Sequence, residues 1–139
     1  MDTLGSVTMM GSNSLIRRKA LAAIGNYQPG LAEDLATSMA LHSGGWRSVY
    51  VREPLAPGLA PPDLVAWFTQ QFKWSRGVFE VLVASFPATW WRLAWANRLA
   101  YGVRLTMYWL GPVVALHIFA TLLVLLTGSA EMIASYEAY

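Results

Sequence analysis

Two groups of residues in this chain have the chemistry of a group transfer. The first is the acidic pair Glu33 and Asp34, in the run AEDL. A carboxylate placed in a cleft can take the proton of a hydroxyl and so make it a nucleophile. The second is QQFKW, residues 70–74. On a helix Gln70, Lys73 and Trp74 stand at i, i+3 and i+4, and Gly77 at i+7 continues the same face. One stripe then offers an amide, a cation, a flat aromatic surface and a bare backbone. Lysine suits a phosphate oxygen as a point charge, tryptophan gives a sugar ring a stacking plate, and glutamine reads hydroxyls or a base edge. A carboxylate followed about forty residues later by a cation and a stacking ring is a kit for moving a sugar from a phosphate leaving group to a hydroxyl. Each group also has a plainer reading. Acids at a helix start meet the positive end of its dipole and need do nothing else. A tryptophan on such a helix can be core, with the lysine snorkelling beside it.

The elements that position these residues follow from short-range pattern. RRKALAAIGN, residues 17–26, predicts a short helix with Leu21 and Ile24 on one face and Gly25 as its stop. EDLATSMALHSGG, residues 33–45, predicts a second, with Leu35 and Met39 four apart and Gly44-Gly45 ending it. WRSVYV, residues 46–51, alternates as a strand does, Trp46, Ser48 and Tyr50 on one face and Arg47, Val49 and Val51 on the other. Residues 52–62 hold four prolines and a glycine, so a crossing loop is expected there. Asp63 is then the N-cap of a helix through Gly77 and on to Phe86, where Pro87 stops it. Residues 89–101 form an amphipathic interface helix.

Composition sets the surroundings. The chain has 139 residues, 55% of them hydrophobic, with mean hydropathy +0.38, more than a soluble domain needs for its core. Cysteine is absent, which excludes disulfides, thiolate zinc sites and a cysteine nucleophile. The net charge of +2 is unevenly spread, because no Asp or Glu occurs between Glu80 and Glu131. That gap holds Arg92, Arg98 and Arg104 among Trp90, Trp91, Trp95, Tyr101, Tyr108 and Trp109, a mixture suited to a lipid headgroup layer. Nucleic acid would suit the same mixture. It is set aside because the run continues straight into hydrocarbon-like sequence. The 23 residues 105–127 carry no formal charge, enough at ~1.5 Å per residue to cross a bilayer core with some tilt. Their position excludes a signal peptide. Arginines precede this segment and neither Lys nor Arg follows it, so residues 1–104 are expected in the cytoplasm and 128–139 outside. Pro112 falls in the first turns of the segment, and His117 is expected neutral and facing another helix.

Read in order, MMGSNSLIRRKALAAIGNY, AEDL, GWRSVYV, LAPGLAP and QQFKW resemble the C-terminal half of the catalytic domain of processive family-2 glycosyltransferases, the cellulose synthase and β-glucan synthase group. The similarity covers roughly residues 5–85 and continues loosely beyond. It implies an α/β fold: residues 1–88 as the acceptor side of a GT-A (Rossmann-like) domain, 89–104 as the interface helix, 105–127 as one transmembrane helix and 128–139 as an extracytoplasmic tail. It also implies a nucleotide-sugar donor (UDP-glucose in cellulose synthases), a glycan acceptor, Mg²⁺, inversion at the anomeric carbon and a place in the inner (plasma) membrane in contact with lipid.

By position, Asp34 matches the catalytic base of the Thr-Glu-Asp motif, with Glu33 beside it. Gln70, Lys73 and Trp74 match Gln-x-x-Arg-Trp, in which the cation meets the donor pyrophosphate and the ring stacks on the glucan. Met10, Gly11 and Ser12 match the segment that meets the acceptor end. Lys73 stands where the family has Arg, Ala32 where it has Thr, and Met10 where cellulose synthases often have Cys. The family's Asp-x-Asp metal ligands and uridine site lie in an N-terminal half that Asp2 alone cannot supply. The chain is therefore expected to be a fragment, inactive without that half. Lipid-acceptor transferases of the ceramide glucosyltransferase type share the acidic and Gln-x-x-Arg-Trp motifs and are the nearer alternative. A non-catalytic membrane-docking module is the other.

Overall fold

The structure is a computed structural model and describes residues 5–53 and 56–127. The expected tail, residues 128–139, and Asp2 lie outside the described residues. Two compact units divide the chain after Leu105.

In the first unit the order is α1 (Arg18–Ala23), α2 (Glu33–Ser43) and α3 (Leu64–Glu80), then a π turn (Val81–Ser85), α4 (Phe86–Thr89), a 3₁₀ turn (Trp90–Arg92) and α5 (Trp95–Thr106), whose last residue belongs to the second unit. Both early helices close by the same device. Past α1, Gly25 N–H donates to Ala22 O and Asn26 N–H to Leu21 O; past α2, Gly45 N–H donates to His42 O and Trp46 N–H to Leu41 O. These paired bonds are Schellman closures, and they use carbonyls a helix end otherwise leaves unpaired. Glu33 and Asp34 lie in the first turn of α2. Asp63 caps α3, its Oδ1 accepting from Ala66 N–H at 2.7 Å.

Three expectations need correction. Residues 46–51 are extended but are not a strand. A strand exists only with a ladder beside it, and the backbone tie recorded for this segment is Ser48 N–H to Gly5 O. Among the described residues there is no named strand, only an isolated bridge between Met10 and Ser12, so the α/β class is not confirmed by this structure. Pro87 does not end the helix begun at Leu64. The chain widens into the π turn, with Phe86 N–H bonded to Val81 O, and Pro87 then enters the first turn of α4, where its missing N–H is tolerated. Finally, the helical segment expected over 89–104 is divided. Leu93 is extended (ψ 139°), so the 3₁₀ turn ends and α5 begins afresh at Trp95.

The core forms where α2 meets the π turn and α5. Leu35, Ala36 and Met39 of α2, Val81, Leu93, and Tyr101 and Leu105 of α5 are buried together, with Val78, Leu82 and Phe86 against them. Gly77 is the buried residue of α3, and a Cβ there would lie 2.8 Å from Ala32 N and 2.9 Å from Leu31 C. Only a bare α-carbon lets α3 come this close to the backbone that enters α2. α5 is apolar on two sides. Asn97, Tyr101 and Leu105 face inward at i+4 steps, while Trp95, Leu99 and Val103 face outward at the same step.

In the second unit a 3₁₀ turn (Met107–Trp109) precedes α6 (Leu110–Leu126). Leu105, placed by sequence at the head of the spanning segment, is instead fully buried in the core of the first unit. The helical run Trp95–Leu126 is long and apolar enough to cross a membrane, and its apolar window is unburied. His117 is exposed on α6.

Candidate active site

The Asp34 carboxylate stands at the first turn of α2, half-buried, with Glu33 beside it turned to solvent. Its Oδ1 accepts from Leu35 N–H at 2.7 Å, which fixes the rotamer. Its Oδ2 faces Gly11, where a Cβ would approach to 3.7 Å. Gly11 is in the left-handed region at φ +80°, a conformation that glycine adopts without strain, and it brings no side chain against that oxygen. The segment around Gly11 is held along α2. Met9 N–H donates to Ser38 Oγ at 2.8 Å, and Ser38 Oγ donates to Asp34 O at 2.8 Å. Met10 and Ser12 are exposed on either side, and the Met10 thioether accepts from Arg104 Nη2. Met10, Gly11, Ser12 and Asp34 are thus brought together, as neighbours on one edge of α2.

The second group is presented differently. Gln70 is half-buried, Lys73 exposed and Trp74 46% exposed, so the ring is not core. All three line one shallow groove along α3 that begins at the capping Asp63. That lining does not include Asp34. The link between the two groups is Gly77: one turn after Trp74, it touches Ala32, two residues before Asp34. The structure therefore places the stripe and the carboxylate on adjoining elements without enclosing them in one cavity.

The fourth member of the stripe does something other than the sequence suggests, since Gly77 is occupied by packing against residues 31 and 32 and is closed to a ligand. Ser38 and His42 were not singled out from sequence, and Tyr101, grouped there with the aromatics suited to a headgroup layer, is instead buried in the core. Ser38 had a signal, its i+4 relation to Asp34. His42 and Tyr101 are 59 residues apart, and nothing local announces their contact. Among the described residues no group of three or more His, Asp or Glu converges to hold a metal ion. The residues present therefore do not fit Mg²⁺, and no step below runs through it.

Comparison with known proteins gives the family. The family model described as glycosyl transferase family group 2 matches residues 2–135. "Putative cellulose synthase 2" of Komagataeibacter xylinus is 36% identical over 92 residues, 66% of this chain and 6% of that protein. "Cellulose synthase 1 catalytic subunit [UDP-forming]" of the same organism is 32% identical over 99 residues, 70% of this chain and 13% of that protein. "Cellulose synthase catalytic subunit [UDP-forming]" of Pseudomonas fluorescens (strain SBW25) is 28% identical over 142 residues, 97% of this chain and 19% of that protein. The chain belongs to glycosyl transferase family group 2. Within that family it is a region of the cellulose synthase type, and it spans between 6% and 19% of the length of these relatives.

Proposed function

We propose that this chain is the acceptor side of a membrane-bound, inverting glycosyltransferase with a GT-A catalytic domain, which passes glucose from UDP-glucose to the end of a growing β-glucan. In this reading Asp34 Oδ2 takes the proton of the acceptor hydroxyl, and the resulting oxygen attacks the anomeric carbon in line with the departing diphosphate. The Met10–Ser12 segment sets the acceptor end beside that oxygen. Lys73 meets the departing charge as a single cation; lacking the fork of an arginine, it offers one point of contact where two parallel bonds would otherwise form. Trp74 carries a sugar ring of the acceptor on its exposed face, and Gln70 reads the hydroxyls of that ring. The outward stripe Trp95, Leu99 and Val103 rests in the headgroup layer of the inner membrane with α6 crossing it, and residues 1–104 stay cytoplasmic. The donor-binding half, with the metal and uridine sites, is contributed by sequence N-terminal to this region.

The single observation that carries the reading is the half-buried Asp34 carboxylate facing side-chain-free Gly11, in a chain whose relatives are named as UDP-forming cellulose synthases. The test joins this chain to a donor-binding half and supplies UDP-glucose in membrane vesicles. Formation of a β-glucan that stops in Asp34→Asn, with donor binding intact, is the expected result. A single-sugar lipid as the product would move the protein to the lipid-acceptor class, and turnover persisting in Asp34→Asn would remove the carboxylate from its role.

A further inference from the structure

His42 is buried to 5% exposure and Tyr101 to 1%, and neither belongs to the proposed chemistry. His42 Nδ1 is 2.7 Å from the Tyr101 hydroxyl, and His42 Nε2 is 2.8 Å from Ser48 Oγ. Ser48 Oγ in turn donates to Gly5 O at 3.2 Å. Counting hydrogens orders this chain. A serine hydroxyl has one, and when Ser48 gives it to Gly5 it accepts from an Nε2–H. A neutral imidazole with its proton on Nε2 has an acceptor at Nδ1, and the Tyr101 O–H fills it. In that tautomer the direction is Tyr101 to His42 to Ser48 to Gly5, one hydrogen per link.

The place where this chain ends gives it a role. Gly5 begins the segment that reaches Asp34, and the same segment is held again at Met9 by Ser38, one turn before His42 on α2. Met9 is thus anchored directly on Ser38 of α2, while Gly5 is anchored on Ser48 and reaches His42 of α2 through it. With both in place the segment lies along the helix and Gly11 meets Asp34 Oδ2; the Ser48 N–H also holds Gly5 O, at 3.1 Å, so loss of the side-chain relay loosens that end of the segment without freeing it. Tyr101 brings in α5, whose outer face carries Trp95, Leu99 and Val103.

We infer that His42 and Tyr101 are positioning residues for the acceptor, holding residues 5–12 against Asp34 through Ser48 and tying that geometry to the seating of α5. The inference rests on the reading of Asp34 as the base. It predicts a selective defect: a displaced segment misplaces the acceptor but leaves the donor where it was, so water takes the sugar more often.

The test uses Tyr101→Phe, which removes one oxygen and keeps the ring, and it has two arms. In the first, nitrogen-15 NMR of His42 in the detergent-solubilised chain is expected to show the Nε2–H tautomer, with Tyr101→Phe moving chiefly the Nδ1 resonance. An Nδ1–H tautomer or an imidazolium at neutral pH overturns the ordered chain. In the second, with the donor half present, Tyr101→Phe raises the acceptor KM or the ratio of donor hydrolysis to transfer about tenfold at unchanged donor KM. His42→Gln, which retains an N–H toward Ser48, recovers part of what His42→Ala loses. Equal losses for donor and acceptor, accompanied by a fall in melting temperature, mean a purely structural role and overturn the inference, as does wild-type behaviour. Asp34→Asn is assayed alongside. If it stays active, the base assignment fails; if it is silent while Tyr101→Phe matches wild type, only the positioning role fails.

Discussion

The edge of α2 and the face of α3 carry the two halves of the proposed chemistry, and they are built in opposite ways. Around Asp34 the chain supplies its own wall. The Leu35 N–H bonds the Asp34 carboxylate at Oδ1, bare Gly11 faces Oδ2, and the Met9–Ser38 bond continues to the Asp34 backbone carbonyl and ties that wall to α2. Around Trp74 the helix supplies one side only, and Lys73 and Trp74 stand in the open. The difference teaches what each half can tolerate. A base must keep its angle to a reacting atom to a fraction of an ångström, so it sits in a preformed corner. A stacking plate gains most when its partner arrives, so exposure costs it little until then.

Changes on the two sides should separate accordingly. The largest effect expected is at the corner: Asp34→Asn, assayed with the donor half, lowers transfer by about three orders of magnitude, within the range for a lost general base. Gly77→Val tests the joint between the two regions. Its Cβ would meet backbone at 2.8 Å, so a loss of about 1–3 kcal/mol in chemical denaturation is expected. Gly58→Ala, at a glycine with nothing within 4 Å, stays within about 0.5 kcal/mol. On the open face, Trp74→Ala weakens acceptor binding about tenfold, roughly 1.4 kcal/mol, with the melting temperature nearly unchanged. A large fall in stability there would show that the ring is packing and would erase the contrast. A smaller loss than at Trp74 is expected at the head of α3, where Asp63→Ala loses one cap bond and about 1 kcal/mol, seen as reduced helicity by circular dichroism.

What could be read in the sequence was what short-range pattern controls. The start of α2 at Glu33, its closure at Gly44-Gly45 and the Asp63 cap are all local bonds with local signatures. So was the gathering of Met10–Ser12 and Asp34 as a candidate set, although that came from resemblance and not from spacing. The misreadings are at places where a distant neighbour decides. Alternation in residues 46–51 says which way side chains point, yet strand formation depends on a ladder partner, and the described residues supply only Gly5. Gly77 reads as an open spot on a helical face until the chain folds residues 31 and 32 onto it. His42 and Tyr101 are invisible for the same reason: their bond closes a loop of 59 residues.

The π turn at Val81–Ser85 has a consequence for register. A turn of this kind holds one residue more than the α-helix it interrupts, and each residue advances a helix by about 100°. Removing any one of those five residues would restore ordinary winding and swing the helix that follows by more than a quarter turn, pointing Phe86 away from the core cluster and the paired tryptophans 90 and 91 in a new direction. The spare residue therefore acts as a phase setter between α3 and the stretch that follows it, and loss of a single codon there would uncouple the two while leaving the composition of both intact.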